Sequence, residues 1–326
     1  MQVPKFVYGS IAPTFTAFNA DGSLDDAGQR RLVDFMLEFR AIDAFFIRSG
    51  MGQMYTFEVD DVKQLTKNLC AHMAGKAPVL VGCSGVWDRN YERRPDPAVY
   101  VQQAIELGKF AEGAGADGVV YTIPEGLVPA EGEPMADFLV KYFTTVCGAV
   151  SCPVFFYQPP GTRPEYCITP DTLARLADID NLVGGKVSTN DGYYLFRLIR
   201  AVRGKEFGFI CGAETAFYAG LMAGARACIG QGATVNPQVI RAVVDRFVAG
   251  DFDGALQAQD DTNLLVETCP NAVDFFKRYA TEKGFPVGLH ARSLASNPYV
   301  QNRTVLADED YQAYKKIYES VVARYA

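Results

Sequence analysis

The chain has 326 residues, 49% of them hydrophobic, enough for one large α/β domain or two ordinary ones. A formal charge of −7 and a pI near 5.0 leave no broad positive field to attract nucleic acid or an anionic membrane. No run approaches the ~20 apolar residues of a membrane helix, and the opening MQVPKFVYGS lacks the basic and apolar regions of a signal peptide, so a cytoplasmic protein with neither partner is expected.

Short apolar runs alternate with helical stretches along the chain. The first four runs are 9–14, 44–48, 78–82 and 118–122, and four more follow at 153–157, 183–186, 207–211 and 227–230. Nearly continuous apolar character is what parallel strands buried on both faces require, and the helices between them include 25–40, 97–114 and 237–249. Eight βα units in about 240 residues predict an α/β fold, a (β/α)8 TIM barrel. An open doubly wound sheet is the runner-up, but no G-x-G-x-x-G or P-loop follows the first strand. The barrel domain is placed at 1–250 and a C-terminal helical extension packed on it at 251–326, with helices at 251–283 and 308–326 and an irregular stretch at 285–302.

The eight cysteines are scattered without a C-x-x-C pair, several of them in apolar runs, and read as buried and reduced. With only His72 and His290, a histidine-rich metal site or a Ser-His-Asp triad has little material, and both histidines read as structural or surface residues. No metal site is expected.

The loop after the third strand, 85–97, reads GVWDRNYERRPDP and would lie on the catalytic face of a barrel. Arg89, Arg93 and Arg94 with Trp87 and Tyr91 fit a lid over an anionic or polyhydroxylated substrate. They fit a solvated loop or a subunit contact equally well.

Tyr157 ends the fifth strand in VFFYQ, and Lys186 ends the sixth, 29 residues later, in LVGGKV. Adjacent parallel strands lie ~4.8 Å apart, so the two side chains can meet at the carboxyl end of the barrel. A partly desolvated lysine there favours the amine, which attacks a ketone, and a tyrosine hydroxyl can move protons to and from the carbinolamine. Taken alone, a strand-end lysine also reads as one that simply reaches solvent.

The pair of segments resembles the dihydrodipicolinate synthase and N-acetylneuraminate lyase family of class I, Schiff-base aldolases. Its members carry Y-N-x-P-x-x-T and, about 28 residues on, G-x-K-x-[ST]-[ST]-[GN]-D. Here these are YQPPGT from Tyr157 and GGKVSTND from Gly184, and the likeness runs from GSIAPTFTAFNADGSLD to FKRYATEKGFPVG. The resemblance implies that Lys186 forms an imine with a pyruvate-like 2-oxo acid and that Tyr157 is the acid/base. It puts Ser188 and Glu214 where the sialic acid lyase branch contacts sugar hydroxyls, and Ile229, Gly230 and Gln231 along the pocket wall. It implies a homo-oligomer, tetramer or dimer, and no cofactor beyond the covalent lysine imine.

The match departs in three places. The substrate-carboxylate segment G-[ST]-T-G-E is replaced by Ser49, Gly50, Met51, Gly52 and Gln53, which loses the hydroxyl pair. Backbone N–H groups of that turn, with Ser49 or Arg48, are the expected substitutes. The relay tyrosine of the synthase branch is absent from YTIPEGLVP, where Glu125 and Gly126 stand, and Arg163 lies one position beyond the expected semialdehyde-binding arginine. These departures argue against dihydrodipicolinate synthase itself and leave the imine chemistry intact. The leading expectation is a lyase that forms or cleaves a C–C bond between pyruvate, or a similar 2-oxo acid, and an aldehyde, with sugar-derived aldehydes among the candidates. The alternatives are a 2-keto-3-deoxy sugar acid dehydratase using the same imine and a barrel that binds a metabolite without turnover.

Overall fold

Eight short strands pair in parallel in chain order and close into a barrel. A computed structural model describes residues 1–292 and 305–325. The order is β1 (Gly9–Pro13), α1 (Asp26–Leu37), β2 (Ala44–Ile47), α2 (Val59–Met73), β3 (Val79–Gly82), α3 (Pro97–Gly113), β4 (Gly118–Thr122) and α4 (Met135–Cys147). It continues with β5 (Val154–Gln158), α5 (Pro170–Leu176), β6 (Leu182–Val187), α6 (Gly192–Ala201), β7 (Gly208–Cys211), α7 (Phe217–Ala223), β8 (Ala227–Cys228), α8 (Gly232–Val235) and α9 (Pro237–Val248). Helices α10 (Phe252–Thr268), α11 (Ala272–Glu282) and α12 (Asp308–Val322) follow. The (β/α)8 expectation and all eight strands are present, most with ends shifted by one or two residues.

Where boundaries moved, local chemistry explains them. The stretch expected as helix over 251–283 breaks after Thr268, because Pro270 brings no N–H and Asn271 caps α11 by accepting from Asp274 N at 3.1 Å. β2 ends before Arg48, which turns into the left-handed region at φ 48°. Of the irregular stretch expected at 285–302, residues 285–292 are non-helical and 293–302 lie outside the described residues. The helices after β8 pack back onto the barrel: Tyr318 donates to Val235 O at 2.7 Å, and Phe276 meets Phe15 edge-on.

All eight cysteines are free thiols, five of them buried. Burial pushes Cys147 and Cys211 up to about 12, so they sit as inert apolar groups. Among the described residues no helix is long and apolar enough to cross a membrane.

Two layers of core define what faces where. Ile11, Phe46, Leu80, Val120, Phe155, Tyr157, Val183 and Ile210 fill the lumen, while Phe45, Val81, Tyr121, Phe156 and Val187 pack under the helices. Strand alternation then decides the orientation of the last residues. β6 carries one extra residue opposite β5: Val154 pairs with Leu182, but Phe155 pairs with Gly184. This bulge resets the phase, so that Lys186 joins the inward set as the register partner of Tyr157. Both glycines of LVGGKV are packing requirements. A Cβ on Gly185 would lie 2.0 Å from the Phe156 ring, and one on Gly184 would lie 2.9 Å from the Phe155 ring and 2.7 Å from Gly208 O.

The loops after β3, β4 and β5 are stitched together by a buried ion pair. Arg89 Nη2 meets Glu125 Oε2 at 3.1 Å, with the two side chains 6% and 2% exposed. Arg89 also donates to Pro160 O and Gly161 O, at 3.2 and 2.8 Å. Glu125 Oε1 accepts from the Tyr91 hydroxyl at 2.6 Å and from Arg163 N at 2.9 Å. Burial and this bond to Glu125 push the Tyr91 phenol up to about 12.

Two stability predictions arise. Gly185→Ala overpacks β6 against Phe156 and is expected to cost about 1–3 kcal/mol in urea unfolding, with Phe156→Leu in the same chain recovering part of it. A fully stable Gly185→Ala protein would refute the packing account. Arg89→Met strands a buried carboxylate and is expected to cost about 3–5 kcal/mol, whereas Arg89→Met with Glu125→Leu costs much less. Equal losses in single and double variants would show that the pair is not coupled.

Candidate active site

Thr122, Tyr157 and Lys186 are register partners at the carboxyl ends of β4, β5 and β6, while Arg48 and Ser84 lie just past the ends of β2 and β3. Cα register runs Thr122 to Tyr157 to Lys186 to Ile210. Lys186 is 6% exposed, and its Nζ lies 4.2 Å from the centre of the Tyr157 ring. Among the described residues no carboxylate forms an ion pair with it. Tyr157 is held edge-on against Phe46, with ring centres 6.1 Å apart.

Beside the lysine stands Glu214, 7% exposed at the mouth of β7. Its Oε1 accepts from Gly232 N at 2.9 Å, and its backbone oxygen accepts from Gln259 Nε2 at 2.9 Å. Gly230 makes room for it, since a Cβ there would sit 2.0 Å from Oε2. Burial raises the Glu214 carboxyl, opposed by backbone N–H groups and by the charge of Lys186. Ile229 lies in the lumen core, and half-buried Gln231 starts the turn into α8. Ser188 is half-buried at the end of β6, donating to Gly212 O at 3.4 Å.

The turn after β2 holds itself together. The Ser49 hydroxyl donates to Thr14 O at 3.3 Å and accepts from Gly52 N at 3.1 Å. Gln53 N and Met54 N donate back to Gly50 O and Ser49 O, both at 3.1 Å. Among the described residues the N–H groups of Gly50 and Met51 have no acceptor. Gln53 sits at φ 64°, and its side chain accepts from Arg292 N at 3.1 Å, tying the turn to the C-terminal region. Gly52 is required, because a Cβ would lie 2.7 Å from Thr14 O.

The three arginines of the 85–97 loop do not share one face. Arg89 is buried against Glu125, Arg94 donates to Glu125 O at 2.7 Å, and Arg93 is exposed in a 2.7 Å pair with Asp88. Their donors serve protein acceptors, so the loop reaches the mouth through Trp87 instead. Arg163 stacks its guanidinium 3.5 Å from the Tyr91 ring centre. His72 sits on α2 against Asp34 at 2.7 Å, on the outer helical layer. Among the described residues no group of His, Cys, Asp and Glu is arranged to hold a metal ion.

Sequence reasoning overlooked Ser84, Thr122 and Tyr55, which line a cavity beside Phe46. Strand phase could have found two of them. Leu80 and Gly82 precede Ser84, and Val120 precedes Thr122, at the alternate positions that face inward.

The model of the dihydrodipicolinate synthetase family matches residues 7–315. The 4-hydroxy-tetrahydrodipicolinate synthase of Nitrosococcus oceani is 30% identical over 256 residues, covering 76% of this chain and 78% of that one. The Geobacter metallireducens enzyme of the same name is 28% identical over 249 residues, with 76% and 78% covered. YagE of Escherichia coli K12, solved in complex with pyruvate, superposes with a TM-score of 0.77 at 23% identity over 98% of this chain and 99% of that one. N-acetylneuraminate lyase from Mycoplasma synoviae gives 0.76 at 19% identity over 97% and 98%. A barrel whose family match runs from before β1 into α12 leaves one assignment: the chain belongs to the dihydrodipicolinate synthetase family.

Proposed function

We propose that the protein is a Schiff-base lyase that forms or cleaves a C–C bond between pyruvate, or a similar 2-oxo acid, and an aldehyde. The observation that carries this reading is the Lys186–Tyr157 pair, register partners facing one lumen with Nζ 4.2 Å from the ring. The family supports it, being made of Schiff-base aldolases acting on pyruvate.

The chemistry follows from the residues. The Lys186 amine adds to the substrate C2 carbonyl, and the Tyr157 hydroxyl protonates the oxygen that leaves as water, forming the iminium. That cation draws electrons from the C3–C4 bond as the Tyr157 phenolate takes the C4 hydroxyl proton and an aldehyde is released, or gives a C3 proton to the phenolate before an aldehyde is added. The open N–H groups of Gly50 and Met51 hold the substrate carboxylate in place of hydroxyl side chains. Ser188 and Glu214 meet the hydroxyls of the aldehyde portion.

Glu214 also favours a second reading. Burial raises that carboxyl, which stands beside Lys186 where an acid would meet a departing hydroxyl, and the same imine would then release water from a deoxy sugar acid. Product analysis separates the two: free pyruvate marks the lyase, an oxo-semialdehyde without pyruvate the dehydratase.

Borohydride added with pyruvate is expected to leave a stable adduct on Lys186, read by peptide mass spectrometry. Lys186→Ala gives none, and Tyr157→Phe slows turnover roughly 10²–10⁴-fold. An unmodified Lys186 after trials with pyruvate and larger 2-oxo acids would leave only a binding role.

A further inference from the structure

Just past the end of β2 the protein buries a cation that the imine chemistry does not use. Arg48 is 4% exposed and held in the left-handed backbone region at φ 48°. Its Nη1 donates to two neutral carbonyls, Gly82 O at 3.1 Å and Ser84 O at 2.6 Å, while Nε is buried without a partner. Among the described residues it has no ion pair, and the nearby carboxylates are engaged elsewhere. Glu125 is taken by Arg89 and Tyr91, and Asp61 by Arg292. A buried charge without a counter-charge is costly, and burial pulls the guanidinium below its ordinary pKa.

That charge borders a narrow cavity whose other walls include Ser84, Thr122, Tyr55, Trp87 and Tyr100. The hydroxyls of Ser84 and Thr122 are 2.9 Å apart. Thr122 is the register partner of Tyr157, itself the partner of Lys186, so the cavity wall begins two strand spacings, roughly 10 Å, from the lysine Cα. A chain of about six carbons fixed at C2 on Lys186, with the lysine side chain itself, has the length to span that distance.

We infer that Arg48, with the Ser84 and Thr122 hydroxyls, receives a second carboxylate at the far end of the substrate, so that the preferred 2-oxo acid is a dicarboxylate. The first carboxylate goes to the Gly50–Met51 amides, and the second neutralises Arg48. This rests on the imine reading above and names the substrate class it serves.

The test compares 2-oxoadipate with 2-oxohexanoate, equal in length but lacking the second acid, by borohydride trapping on Lys186, with pyruvate as reference. Wild-type protein is expected to half-saturate at about tenfold or more lower concentration of the diacid. Arg48→Met brings that ratio toward one, and Arg48→Lys keeps part of it. Circular dichroism melting shows whether each variant is folded. If Arg48→Met does not fold, Arg48→Gln and Arg48→Lys supply the same comparison. Equal trapping of the two acids by wild-type protein, or a preference that survives Arg48→Met, overturns the assignment of Arg48. Adduct with pyruvate but no diacid preference removes this inference alone, whereas no adduct with any 2-oxo acid removes the imine reading and this inference with it.

Discussion

The bulge at the start of β6 decides which way Lys186 faces. Without the extra residue opposite Val154, strand alternation would send Lys186 outward under the helices and leave a glycine facing Tyr157. The bulge is tolerated because the strand is nearly bare there. Gly184 and Gly185 leave the space that the Phe155 and Phe156 rings occupy, so two large side chains on β5 interlock with two absent ones on β6. The same rings anchor both layers, Phe155 in the lumen and Phe156 under the helices, which makes the phase of β5 and β6 a property of the whole core. The inward placement of Lys186 is thus secured by packing at the two residues immediately before it.

Above that layer, charge replaces hydrophobicity as the organising term. Arg89, Glu125, Glu214 and Arg48 are all withdrawn from water near the mouth, and they are compensated in three different ways. Arg89 and Glu125 answer each other and lock three loops together. Glu214 is balanced by the amides of the turn after β8 and by Lys186. Among the described residues Arg48 is answered only by carbonyl dipoles. A buried cation held by dipoles alone is poised for an anion in a way that a paired one is not, because the pair has already recovered its desolvation cost.

Much of this was legible in the sequence, for physical reasons. Doubly buried parallel strands write themselves as apolar runs, and Tyr157 and Lys186 close two of them. The bulge was invisible: Leu182 to Gly185 reads as an ordinary strand, and only the bulk of Phe155 and Phe156 on the neighbour shows why both glycines are needed. The 85–97 loop misled in the opposite direction. Its arginines look free on paper, but the partner of Arg89 lies 36 residues away and is an acidic residue that sequence reasoning noted as the place of a missing tyrosine. Pairing across separate βα loops leaves no local spacing to read.

The turn at 49–53 connects these observations. Replacing a hydroxyl pair by Gly50 and Met51 removes two side-chain donors, yet the turn remains closed by its own backbone bonds and by the Ser49 hydroxyl. Two amides remain without an acceptor among the described residues, and amides fixed in a turn need no reorganisation to meet a carboxylate. The residue immediately before them is Arg48, whose left-handed backbone swings its side chain toward β3 while the turn stays over the lumen. One short segment therefore carries two separate donor sets pointing to different neighbours, which is the arrangement a substrate with two acidic ends requires.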